Sequence, residues 1–153
     1  MKSISGDLLK LAMEGRFEVV IHGANCFLTM NSGIAKQIKA LYPEAYEADL
    51  KTIPGDKNKL GSYTGAPIMR GEKAFVIINA YTQYTYGTDS MKVDYEALRK
   101  CFKEIKKEFH GCTFGIPKIG AGLAGGDFEI ISKIIEEEMA GEDITLVLYE
   151  VGK

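Results

Sequence analysis

The sequence predicts an α/β fold in layers, with helices on both faces of one sheet. Two observations carry this. The strongest apolar runs are short and rich in β-branched residues, as in strands buried on both faces. Segments with apolar residues at helical spacing lie between them, the pattern of helices packed on a sheet. A chain of 153 residues is the size of one domain, here expected to span 1–153, and is long enough to bury one substantial core.

In chain order, Asp7 after Gly6 is placed to cap a helix beginning LLKLAM. Phe17–Asn25, FEVVIHGAN, reads as a buried strand. Ser32–Leu41 follows as a helix, with Ile34, Ile38 and Leu41 on one face. Pro54–Gly61 is a loop by its turn residues. Leu60–Met69 is a weaker strand, broken by Gly and Pro. Ala74–Tyr81, AFVIINAY, is a second strong strand. Val93–His110 is a helix through Leu98, Cys101, Phe102, Ile105 and Phe109, and Gly111 is placed to end it in a left-handed turn. Thr113–Ile119 reads as a strand, Phe128–Met139 as a helix and Ile144–Val151 as the last strand.

The bulk numbers exclude several classes. Hydrophobic content of 46% and charged content of 26% are those of a globular protein. A net charge of -2, without a Lys/Arg block, argues against a protein that coats nucleic acid. Three cysteines without C-x-x-C spacing give neither a disulfide framework nor a zinc site, and two histidines do not make a metal cluster. No segment has the length of a signal-peptide core or a membrane span. The expected compartment is reducing cytoplasm, with no metal or cofactor demanded.

Two glycine loops stand out. KIGAGLAGGDFE (118–129) leaves a strand and enters a helix, as does NCFLTMNSGIAKQI (25–38). Glycine lets backbone approach a ligand closely, and the following helix N-terminus attracts anions. Such loops are either phosphate cradles or ordinary turns. The first also fits G-x-G-x-x-G through Gly120, Gly122 and Gly125. A dinucleotide fingerprint belongs at the first βα turn, with more βα units and an acid roughly 20 residues on. Here only one helix and one strand follow, and Glu136–Glu138 read as a solvated helix face.

In this order, four segments resemble a macrodomain, the ADP-ribose-binding α/β/α module, over nearly the whole chain. SGDLL (5–9) is similar to the family's G-D-[IL] signature. VVIHGANC with NSGIAKQI is similar to its N-x-x-N…G-G-[VI]-A segment. IINAYTQ (77–83) and IPKIGAGLAGGDFE (116–129) resemble the central strand and second phosphate loop of its ADP-ribose-1″-phosphate-processing branch. The resemblance implies a three-layer α/β/α fold with a mixed central sheet. It implies that Asp7, with Leu8 beside it, binds the adenine, which Tyr149 flanks. Asn25 would bond the distal ribose. Ser32, Gly33 and Ile34 would form the first phosphate loop, and Gly120, Ala121, Gly122 and Leu123 the second.

Departures from other branches narrow the expectation. His22 replaces the first Asn of N-x-x-N, and IHGANC resembles yeast-type ADP-ribose-1″-phosphate phosphatases. The terminal ADP-ribose glycohydrolase branch carries a Lys in the central strand and an Asp after G-x-G-L. INAYTQ has no Lys, and Ala124 takes the second place. The resemblance therefore implies binding of ADP-ribose or ADP-ribose-1″-phosphate, and hydrolysis of the latter to ADP-ribose and phosphate. The alternatives are a non-catalytic reader of ADP-ribose, or a hydrolase of O-acetyl-ADP-ribose or of ADP-ribosyl-macromolecule bonds.

His22, Asn25 and Asp127 are the expected catalytic group. An imidazole exchanges a proton near neutral pH and suits activation of water or protonation of a leaving ribose oxygen. The competing reading of His22 is a packed, hydrogen-bonded side chain at a strand end. Asp127 either caps a helix or orients water or the distal ribose, and the two roles are compatible. Cys26 reads as a small buried hydrophobe rather than a nucleophile. The stretch Tyr81–Tyr86 either lines the distal pocket or leads a strand into a loop.

Overall fold

The computed structural model describes residues 1–87, 89–122 and 124–150. One six-stranded sheet runs in the order β1-β6-β5-β2-β4-β3, comprising β1 (Lys2–Gly6), β2 (Val19–Ala24), β3 (Tyr63–Arg70), β4 (Lys73–Tyr81), β5 (Thr113–Ile116) and β6 (Asp143–Tyr149). All neighbours are parallel except β3, which returns antiparallel to β4. The mixed α/β/α expectation therefore holds. The strand expected over Thr113–Ile119 stops at Ile116, and Val151 lies outside the described residues.

Strand periodicity builds the layers. In β2, Val20 joins one core, while Val19 and Ile21 join the other. The first core takes Leu8, Leu9 and Ala12 from α1 (Leu8–Met13), Ile38 from α2 (Gly33–Leu41) and Ala45 from α3 (Pro43–Leu50). The second takes Leu98, Cys101, Phe102 and Ile105 from α4 (Tyr95–Phe109), with Ile131, Ile134 and Ile135 from α5 (Phe128–Glu138). Central strands covered on both sides need continuous apolar runs.

The edge strand β3 obeys another rule. Ala66 and Ile68 face inward, whereas Gly65, Pro67 and Met69 face out. Proline is tolerated there because an edge strand has one unpaired side. Two elements have weak sequence signals. β1 owes its place to parallel pairing with β6, Lys2 opposite Thr145 through Gly6 opposite Tyr149. α3 begins with Pro43 at its start and Glu44 in its first turn, both favourable there. Its buried side is Ala45 and Asp49, so it lacks an apolar stripe.

Gly115 in β5 lets Phe17 and the α1 residue Leu8 pack directly on the sheet. A Cβ there would lie 2.6 Å from Phe17 Cδ2 and 2.8 Å from Leu8 Cδ1. Gly115→Ala is expected to destabilise the fold by about 1–3 kcal/mol through overpacking, read as a lowered denaturant midpoint at unchanged slope.

Candidate functional site

A cleft of about 510 Å³ opens where β2, β4 and β5 end. Its walls come from the end of β2 and the loop into α2, from Gln83, Tyr86 and Gly87 after β4, and from Pro117, Gly120, Gly122 and Ala124 after β5, with Asp49 from α3. Crevices outside the carboxyl ends of parallel strands are where α/β sheets bind ligands, and the volume suits a small molecule.

The first loop is held by its own polar atoms. Asn25 Oδ1 accepts from the Phe27 N–H at 2.8 Å, and Asn25 Nδ2 donates to Thr29 Oγ1 at 2.6 Å. Leu28 and Met30 adopt φ of 63° and 38°. Left-handed backbone in residues with side chains is costly and persists only where the surroundings over-determine it. The loop then enters α2 at Ser32, whose side chain does not cap the helix. Gly33, Ile34 and Ala35, in the first turn, line the cleft. An uncapped helix N-terminus carries unpaired N–H donors and positive partial charge.

The second loop differs. Gly120 takes φ of 74°, and its carbonyl accepts from the Gly126 N–H at 2.7 Å. Gly120, Gly122 and Ala124 line the cleft. Ala121 turns toward the α4/α5 core instead. Leu123 lies outside the described residues. The helix that follows has its own anion: Asp127 accepts from the Glu129 N–H at 2.9 Å and caps α5. The two glycine loops thus lead to one open and one capped helix end.

The expected adenine residues gather elsewhere. Asp7 caps α1 through the N–H groups of Leu9 and Lys10. Tyr149 pairs with Gly6 across the β1/β6 ladder and is 65% exposed. Both sit at the carboxyl edge of these strands, outside the cleft lining. The Leu8 side chain is in the core.

His22 is fully buried and does not line the cleft. Its Nε2 lies 2.6 Å from Asn79 Oδ1. Asn79 Nδ2 donates to the Ala45 carbonyl at 2.9 Å, which fixes the amide orientation. Nε2 must therefore carry the proton, and Nδ1 is left as a lone-pair acceptor. Burial holds the imidazole pKa below its ordinary value, against the opposing pull of the Asn79 bond and the Asp49 charge. Burial likewise pushes the Cys26 thiol up, and its Sγ contacts the Gln83 carbonyl at 3.6 Å. That is a packed thiol rather than a thiolate.

Sequence reasoning missed Asp49 as a site residue because α3 itself was not read. Thr29, Met30 and Asn31 lie within the expected 25–38 loop but were not singled out as site residues. Of the polar-aromatic stretch after β4, Gln83 and Tyr86 line the cleft, and Thr82 is buried beneath it. Among the described residues, no cluster of three or more His, Cys, Asp or Glu is arranged to hold a metal ion, and no helix is long and apolar enough to cross a membrane.

Layers of helices on both faces of a mixed sheet, with a glycine-walled crevice at the carboxyl ends of its parallel strands, define the fold and the candidate site. Residues 21–135 match the Macro domain, and the chain belongs to that family. It is 36% identical, over 98% of its length and 97% of the relative's, to a 17.5 kDa protein of the tk-vs intergenic region of Enterobacteria phage T4. It is 25% identical to a DNA ADP-ribosyl glycohydrolase of Mycobacterium tuberculosis, covering 95% of this chain and 40% of that protein. Its fold superposes on Thermosipho africanus DarTG, solved in complex with ADP-ribose, with a TM-score of 0.71 and 16% identity, over 99% of this chain and 42% of that one. These relatives are phage and bacterial, DarG-type among them, rather than specifically yeast-type phosphatases.

The depressed His22 pKa gives a stability profile. Below the ordinary value of 6.5 the unfolded chain takes up a proton that the folded chain refuses. Stability is therefore retained above that pH and lost as pH falls, at up to about 1.4 kcal/mol per pH unit. Thermal melts between neutral pH and pH 5 are expected to fall for the wild type, and to fall less for His22→Gln.

Proposed function

We propose that the protein binds ADP-ribose in this cleft and hydrolyses a bond at its terminal ribose, releasing ADP-ribose from an ADP-ribosylated macromolecule. The observation that carries the reading is the uncapped α2 N-terminus facing a second glycine loop across one crevice. Such an arrangement suits a diphosphate, which accepts from backbone N–H groups and is drawn by the helix dipole. Asn25 keeps one Nδ2 proton and one Oδ1 lone pair beyond its loop bonds, enough to fix a ribose hydroxyl. Asp7 keeps its second carboxylate oxygen for an adenine amino group, beside Tyr149. Family membership and the two DarG-type relatives support the ADP-ribosyl ligand.

His22, buried beneath the crevice, serves this reading as a support for the strand ends rather than as the group that touches substrate. Asp127, bound to its own helix, holds the end of the second loop in place. Phosphate release from ADP-ribose-1″-phosphate is the second reading. It is favoured by Ala124, which lines the cleft where the glycohydrolase branch has an acid.

Side-by-side assays of an ADP-ribosylated DNA oligonucleotide, ADP-ribosylated protein, O-acetyl-ADP-ribose and ADP-ribose-1″-phosphate separate these readings by the bond that breaks. Fastest ADP-ribose release from a macromolecule is expected; phosphate release alone, followed by ³¹P NMR, would assign the second. Binding has its own test. A Cβ on Gly122 meets no atom within 4 Å, so Gly122→Glu fits the fold while adding a carboxylate to the cleft. ADP-ribose affinity by calorimetry is expected to fall on the order of a hundredfold, with the melting temperature unchanged.

A further inference from the structure

Three buried side-chain atoms lack a hydrogen-bond partner among the described residues: His22 Nδ1, Thr82 Oγ1 and Asp49 Oδ2. Of these residues, Asp49 lines the cleft, at 1% exposure. An unmatched carboxylate oxygen is the costliest of the three to leave without a donor.

The surrounding bonds have a direction. Asn79 Nδ2, oriented by the Ala45 carbonyl, also donates to Thr64 Oγ1 at 3.0 Å. The single Thr64 proton then goes to Tyr81 Oη, 3.0 Å away. Tyr81 in turn donates to Asp49 Oδ1 at 2.7 Å. Lys59 Nζ stands 3.8 Å from the same Oδ1, anchored by Thr52 Oγ1 at 2.6 Å and the Cys26 carbonyl at 3.3 Å. The hydrogen bond from Tyr81 and the ion pair with Lys59 both fall on Oδ1. The carboxylate is gripped by one oxygen, and its charge has a buried partner, while Oδ2 is left over.

We propose that Asp49 Oδ2 accepts a hydrogen bond from a hydroxyl of the terminal sugar, making Asp49 the residue that selects a sugar-bearing nucleotide over a bare diphosphate. This rests on the ADP-ribose reading. The division of charge in the cleft supports it. Phosphates are served by the α2 N-terminus and glycine backbone, whereas a carboxylate repels phosphate and welcomes a neutral donor. A site built to bond a hydroxyl rejects the analogue lacking it, because its own polar group is then stranded.

The test is calorimetric titration with ADP-ribose and with ADP. In Asp49→Asn, the Tyr81 donor holds the amide oxygen, so the NH₂ takes the place of Oδ2 and a donor replaces the acceptor. The wild type is expected to prefer ADP-ribose; Asp49→Asn lowers that preference about tenfold or more while ADP affinity is unchanged. Tyr81→Phe, which frees the carboxylate from its main support, lowers it by a smaller factor and carries the test should Asp49→Asn fail to fold. An undiminished preference in the folded variant overturns the proposal, as does a wild type that binds ADP and ADP-ribose equally. A wild type that binds neither overturns the ADP-ribose reading itself.

Discussion

Everything in this molecule depends on burying the β2–β4 pair on both faces. Backbone donors and acceptors in these strands are satisfied by the parallel ladder, from Val19 opposite Val76 to Ala24 opposite Tyr81. Side chains have no such general solution. Where the strands carry Val and Ile, they pack. Where they carry His22, Asn79 and Tyr81, a polar atom left without a partner costs about 1–3 kcal/mol, and all but His22 Nδ1 find one. The ladder places His22 directly opposite Asn79, and the network grows from that pair toward α3.

The same constraint locates function. Parallel strands end together, so the loops after β2, β4 and β5 open on one side and make one crevice. The helix layers differ in what they bring to it. On one face, α4 and α5 contribute packing, and α5 closes its own N-terminus with Asp127. On the other, α2 leaves its N-terminus open and α3 turns a carboxylate inward. The proposed recognition groups are therefore concentrated in the layer whose helices are least regular by ordinary rules.

That irregularity decides how much the sequence discloses. β2, β4 and β6 were legible because burial on both faces leaves runs with almost no polar interruption. The two glycine loops were legible because glycine marks backbone that turns tightly or approaches something closely. α3 was not: its inward Asp49 cancels the apolar period that would reveal it. β1 was not, because five residues with Ile4 as their one aliphatic side chain acquire meaning only beside β6. The facing of His22 depended on strand register, and that register turns it under α3 rather than into the cleft.

The left-handed backbone at Leu28 and Met30 has a further consequence. A glycine at either position would relax the turn and also multiply the shapes available to the free loop. With bulky residues there, fewer backbone shapes are open to the free loop. For the proposed ligand, that resembles a key meeting a cut lock: less chain ordering would accompany binding, and more of the contact energy would appear as affinity.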